Sequence, residues 1–403
     1  MGEAKLSTYT TLIILSGLVI FSYLFDLIAG KTKIPSVLLL LFLGVGIKQV
    51  VTYFGITLFD VSAILPTLGT LGLILIVLEG ALELKYTPAK NSVIKRSFFS
   101  ALVILLCTTF CISWLLYELS GADYYRCFVN AIPFCVVSSA IAIPSASSID
   151  KHKKEFIIYE SSFSDILTVI LFNFILSNKH INVGSFAKLS AELFTILAFA
   201  LGACLLLLYL IGRITHHVKF FLIIALLILV YAIGQSYHLS SLIIVLALGL
   251  FLNNADQIKL PWFRKYFIYH GLNLDLKQLL QLSAESAFLM RTFFFIIFGF
   301  TMNIDQLQKW SVLTIGGLIL LAIYLIRFVY IKTVSKTDLM PELVIVPRGL
   351  ISVLLYYNLP PALRLPGVET SLLFVVILST SIIMSIGLFL YNRRISSKEF
   401  SNL

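Results

Sequence analysis

The chain has 403 residues, 59% of them hydrophobic and 12% charged, with a mean hydropathy of +0.99. A soluble domain of this length could not bury so much apolar surface, which excludes soluble enzymes and soluble binding modules. The net charge of +10 would suggest nucleic acid only if it were gathered on one soluble face, and its distribution along the chain speaks against that.

Apolar runs of membrane-spanning length recur from end to end, so the predicted class is an all-α polytopic membrane protein. Thirteen spans are predicted, at 9–29, 34–53, 62–84, 97–119, 126–148, 156–178, 189–212, 218–237, 240–254, 286–303, 310–331, 342–359 and 369–391. No secretory leader is expected: Lys5 is the only early cation, and no small-residue cleavage site follows the first run. Between the ninth and tenth spans lie Pro261-Trp262-Phe263-Arg264-Lys265 and then Leu272–Leu282. That region reads as an amphipathic helix at headgroup level, because Lys and Trp are the residue types found there.

With the N-terminus outside, 20 of the 30 Lys and Arg residues fall in cytoplasmic loops, 7 fall outside, and Arg291, Arg327 and Arg348 lie within spans. This asymmetry follows the positive-inside rule, fits an odd number of spans and puts the C-terminus in the cytosol. Arg327 lies near the cytoplasmic end of its span and is expected to snorkel. Arg291 is a candidate core cation. The five cysteines show neither metal spacing nor a secreted framework and read as reduced core residues. His216, His217 and His238 sit in predicted loops.

Two spans differ from the rest. The fifth holds Pro133 and Pro144 with Ser138, Ser139, Ser145, Ser147 and Ser148; the twelfth holds Pro341 and Pro347 with Arg348-Gly349. Proline removes an amide donor and breaks the helix, and broken helix is tolerated in lipid only where protein buries it or a cavity is lined by it. The two segments are seven apart in the order of spans, so they run in opposite directions. A matched pair of interrupted spans in antiparallel halves points to an inverted-repeat transporter with its site at the crossing.

The sixth span holds Glu160-Ser161-Ser162-Phe163-Ser164-Asp165-Ile166-Leu167-Thr168. A carboxylate within a span is costly and marks a functional site. Ser161, Asp165 and Thr168 share a helix face. Glu160 lies about 140° round the helix from Asp165 and about 7.5 Å along it, so the two carboxylates serve different ends. Arg348, an arginine at a helix break, is the cation expected to pair with Glu160. No ATP-binding loop motif and no clustered His/Cys metal site is seen, so active transport would draw on an ion gradient.

On these residues the chain resembles the cation:proton antiporter superfamily, close to the sodium/proton antiporters and exchangers, over about residues 9–392. The likeness is most specific at Glu160–Asp165 and at Arg348-Gly349, with weaker matches at Ile34–Leu40, Leu248–Asn253 and Phe293–Gly299. The resemblance implies that Asp165 binds cation or proton in turn, that Ser161 helps ligate the ion, and that Glu160 and Arg348 form a structural ion pair. It implies one transporter unit: core helices at 97–178 and 310–391, a scaffold and homodimer surface at 9–84 and 218–303, and a linker at 189–212. Where relatives carry Asn or Asp before the key aspartate, this chain has Ser164; where many carry Thr-Asp-Pro, it has Ala142-Ile143-Pro144.

The expected function is exchange of a monovalent cation, Na⁺ first, for H⁺ by alternating access, one for one and electroneutral. The site would be Asp165 with Ser161, Ser164 and Thr168, completed by Ser138, Ser139, Ala142 and Ser145 from the broken fifth span. No cofactor, catalytic residue or nucleic-acid partner is expected; the partners are membrane lipids, the two ions and a second copy of the chain. The alternatives are a K⁺/H⁺ exchanger, a channel or sensor on the same scaffold, and an organic-anion symporter. Compact loops and the short tail after Tyr391 point to a bacterial inner membrane.

Overall fold

The computed structural model describes residues 8–32, 35–54, 65–146, 149–179, 182–214, 219–236, 241–269, 271–302, 309–335 and 339–401; His216, His217 and His238 lie outside them. Among the described residues every regular element is helical. In chain order they are α1 (Thr8–Thr32), α2 (Ser36–Tyr53), α3 (Leu65–Glu83), α4 (Asn91–Ser120), α5 (Tyr124–Ala131), α6 (Ser139–Ser145), α7 (Lys151–Ser177) and α8 (Val183–Arg213). There follow α9 (Lys219–Ser236), α10 (Ser241–Asn254), α11 (Pro261–Phe267), α12 (Leu272–Thr301), α13 (Trp310–Tyr330), α14 (Leu350–Tyr357) and α15 (Thr370–Ser401).

Among these residues seven helical stretches are long and apolar enough to cross a bilayer, and the bent pair α10–α11 is a candidate eighth. Shorter apolar helices cover Ser16–Ile28, Thr67–Leu82 and Phe220–Ser236. The protein is a multi-pass membrane protein. The predicted interfacial helix at Leu272–Leu282 is not a separate element: α12 runs unbroken for 30 residues into the tenth span. Its first turns bury Leu272, Asp275, Leu276 and Leu279 and expose Leu274 and Lys277. The amphipathic pattern thus belongs to the polar start of a long helix, and no proline or glycine lies between Leu272 and Phe298.

The chain divides into two compact units. The first comprises residues 1–69, 97–165 and 289–403. Within it α2 and α12 meet backbone to backbone. A Cβ on Gly44 would lie 2.1 Å from the Ile296 carbonyl oxygen, and one on Gly299 would lie 2.3 Å from that of Leu41. Small residues permit such approach, which in lipid supplies the packing that hydrophobic burial cannot. Ser22 and Thr292 add a buried hydroxyl–hydroxyl bond of 2.6 Å between α1 and α12. Lys48 donates to the carbonyls of Thr301 and Met302 at 3.4 and 2.8 Å, a cation on the otherwise unsatisfied end of α12.

The second unit comprises residues 70–96 and 166–288. Its core joins the apolar faces of α8, α9 and α10 through Ala200, Leu207, Leu227, Ile244 and Leu248, with Leu78 from α3 and Phe263 from α11. Asn182 begins α8 as the N-cap, its side chain accepting the Ser185 amide while the Ser185 hydroxyl accepts from the Asn182 amide. At one end, Lys85 pairs with Asp256 at 2.8 Å and Asn254 bonds the backbone of both Leu84 and Tyr86.

Candidate ion site

The site lies within the first unit, and its starting point is a break in the helix. After α5 a single 3-10 turn, Ile132–Phe134, ends the regular structure, and residues 135–138 are non-helical until α6 begins at Ser139. Pro133 has no amide to donate and its ring crowds the preceding turn, which locates the break. The second interruption, at 345–349, leaves Val346, Pro347, Arg348 and Gly349 without helix before α14. In apolar surroundings each backbone group released by these breaks needs a partner.

Most are provided for by side chains that face the breaks. The Val137 amide donates to Ser164 Oγ at 2.9 Å, the Ser138 amide to the Pro347 carbonyl at 2.9 Å, and the Ser139 amide to Asp165 Oδ2 at 3.3 Å. Thus three consecutive amides are divided between α7 and the second interrupted segment. The two interrupted segments touch here. A Cβ on Gly349 would lie 2.5 Å from Ser138 Oγ and 2.9 Å from Ser138 Cβ, so only glycine fits between them.

Freed carbonyls go to arginine. Arg348 donates from Nε to the Phe134 carbonyl at 2.7 Å and from Nη1 to the Val346 carbonyl at 2.9 Å, while its own amide donates to Thr380 Oγ1 at 3.1 Å. Arg291 donates from Nη1 to the Ala140 carbonyl at 2.9 Å, at the start of α6.

Here the expected ion pair is corrected. Glu160 pairs with Arg327, not Arg348: Nη2 meets Oε2 at 2.7 Å and Nη1 meets Oε1 at 3.1 Å. Ser100 donates to Glu160 Oε1 at 2.5 Å, and Arg327 Nε donates to the Glu342 carbonyl at 2.7 Å. Both side chains are buried, Arg327 at 2% exposure, so Arg327 does not snorkel. The physical reason lies in the breaks themselves. Unwound backbone supplies Arg348 with carbonyls, whereas Arg327 projects from a regular helix whose own carbonyls are used, and it takes the carboxylate. The bidentate fork is the strongest form of such a pair.

Asp165 is arranged differently. It is 5% exposed. Its Oδ2 accepts both the hydroxyl and the amide of Ser139, whereas Oδ1 is buried with no hydrogen-bond partner among the described residues. One carboxylate oxygen is held and the other is open.

The remaining expected ligands divide. Ser139 meets Asp165, whereas the contacts of Ser138 and Ser164 are with the broken backbone. Ser161 does not turn toward Asp165; its hydroxyl donates to the Ile157 carbonyl at 2.8 Å, within its own helix. Ser145 likewise donates to the Ile141 carbonyl at 2.8 Å, at the far end of α6. Ala142 is buried, and its amide bonds the Ser138 carbonyl at 2.9 Å as an ordinary helical residue. Thr168 is fully buried in the second unit. Of the four residues expected from the broken segment, Ser139 at the start of α6 is the one that meets Asp165. Sequence reasoning missed Ser100 and Arg327; an arginine inside the long apolar run 310–330 was the available signal.

The chain is a helical membrane protein in which a half-engaged carboxylate on α7 faces the start of an interrupted helix. It belongs to the sodium/hydrogen exchanger family, whose transmembrane model matches residues 16–394. In fold it is similar to a structure at pH 8 of the sodium proton antiporter MjNhaP1 from Methanocaldococcus jannaschii. The TM-score is 0.69 at 22% identity, over 93% of this chain and 98% of that one. An electron-microscopy structure of the same antiporter gives 0.70 at 21% identity, over 94% and 96%. Among curated proteins none matches the sequence.

Proposed function

We infer that the protein exchanges a monovalent cation, Na⁺ first, for H⁺ by alternating access, with Asp165 carrying each in turn. The observation that supports this most is the contrast between the two buried carboxylates of α7. Both oxygens of Glu160 are taken by Arg327 and Ser100, whereas Asp165 keeps Oδ1 open. Deprotonated, Asp165 offers a hard oxygen of the kind such cations take. Protonated, it is neutral and crosses the apolar barrier at less cost. Cation and proton compete for one group, which couples their movements without a second site and makes the exchange one for one.

The body that moves comprises residues 97–178 and 310–391, against 9–84 and 218–303. Membership of the sodium/hydrogen exchanger family and likeness in fold to a sodium proton antiporter support the substrate assignment. K⁺ is the second candidate, because the group that faces Asp165 is the neutral hydroxyl of Ser139, which gives a weaker field than a second carboxylate would. The test is cation-driven proton movement in proteoliposomes with Asp165→Asn. Loss of exchange in a folded protein is expected; exchange that persists would contradict the assignment.

A further inference from the structure

A second feature of the molecule lies in the second unit, away from these residues. After α10 the chain passes through a 3-10 turn, Ala255–Gln257, and α11 then leaves at 109° to the preceding helix. A short helix turned this far from the apolar α10 has the orientation of one that lies along a membrane surface. Its inner face is fixed. Phe263 and Phe267 stack with ring centroids 5.2 Å apart and pack into the core formed by α8, α9 and α10.

The outer face is of another kind. Leu260, Trp262, Arg264, Lys265 and Tyr266 are all exposed, with Lys259 beside them and Lys277 exposed on the first turns of α12. The two acids nearest in sequence to these cations are engaged. Asp256 pairs with Lys85 at 2.8 Å, and Asp275, the only carboxylate from 258 to 277, is buried and accepts the Tyr269 hydroxyl. Burial, with Asp275 alongside, pushes the Tyr269 phenol well above its usual range, so it stays a neutral donor. The Tyr269 ring also lies against the end of α8, where a Cβ on Gly212 would come within 3.1 Å of it. The result is a foot whose outer surface carries aromatic rings, one leucine and four cations with no ion pair among the described residues.

We propose that this surface binds the headgroups of anionic phospholipid, with Trp262 and Tyr266 seated at the interface and Lys259, Arg264, Lys265 and Lys277 facing the phosphates. Charge complementarity selects the lipid. A zwitterionic headgroup would leave the four cations unmatched, whereas an anionic one matches cations while the rings occupy the boundary that suits them.

The chain has three tryptophans, at 114, 262 and 310, so full-length protein carrying Trp114→Phe and Trp310→Phe reports on Trp262 alone. It is reconstituted in vesicles that contain brominated phosphatidylglycerol or brominated phosphatidylcholine, and fluorescence quenching is read. Phosphatidylglycerol should quench at the lower mole fraction, and added salt should weaken that preference. Arg264→Gln with Lys265→Gln should reduce the preference roughly 25-fold, about fivefold for each cation lost near a charged surface. The salt arm needs no further variant and so does not depend on the double substitution folding. Equal quenching by the two lipids, a preference indifferent to salt, or its survival in the folded double variant would overturn the proposal. So would the absence of quenching by either lipid, which would place a second copy of the chain over this face.

Discussion

Asp165 and Glu160 stand five residues apart on one helix and are treated in opposite ways by their surroundings. The donors of Ser100 and Arg327 close Glu160 on both oxygens, while Ser139 closes Asp165 on one only. Arg327→Met should therefore leave a buried, unpaired carboxylate and lower stability by about 3–5 kcal/mol, whereas adding Glu160→Leu should restore most of the loss. Thermal unfolding in detergent checks both. Ser139→Ala removes the hydroxyl that helps hold Asp165 as a carboxylate. A hydrogen bond to a charged group is worth about 1.5–3 kcal/mol, so the apparent KM for the cation at fixed pH should rise about tenfold or more. Vesicle uptake at several cation concentrations measures it. At this scale the sequence was informative about which residues are costly to bury and poor on who pairs with whom. Glu160 had two arginines within reach of a guess, Arg327 and Arg348, and residue type does not rank them. The deciding facts are the carbonyls of Phe134 and Val346, which exist as acceptors only once the helices have broken.

Elements that meet through glycine set the next scale. Gly44 and Gly299 let α2 and α12 touch at backbone distance, and at Gly299 the obstacle is the Leu41 carbonyl, which cannot swing aside. Gly299→Ala should therefore destabilise the protein by about 1–3 kcal/mol, the usual cost of overpacking, read as a lowered unfolding midpoint. A neutral result would mean that the two helices are free to part. Pro133 and Pro347, each of which removes a donor, stand at the non-helical stretches 135–138 and 345–349, and in that respect the sequence was readable. The start of α6 was not. Which of the expected Ser138, Ser139, Ala142 and Ser145 faces Asp165 depends on where helix resumes after the break, and Pro144, five residues beyond Ser139 in the last turn of α6, does not mark that point. The long α12 was divided for a related reason: its polar first turns, with Asn273, Asp275 and Lys277, resemble a separate surface helix until the backbone is seen to continue through them.

For the molecule as a whole, the proposed coupling reduces to competition at one carboxylate. A proton and a cation that share Asp165 cannot be carried together, and with Glu160 closed α7 offers no second buried carboxylate to add a charge to the cycle. Acid should therefore raise the apparent KM for the cation and leave the maximal rate little changed, since high cation concentration displaces the proton. The measurement that bears most directly on this is pH change inside proteoliposomes driven by a cation gradient, with the membrane potential clamped by valinomycin at zero or at a large imposed value. One-for-one exchange at Asp165 predicts the same rate at both potentials, and no exchange in Asp165→Asn. A rate that follows the imposed potential, or exchange that survives loss of the carboxylate, would contradict it.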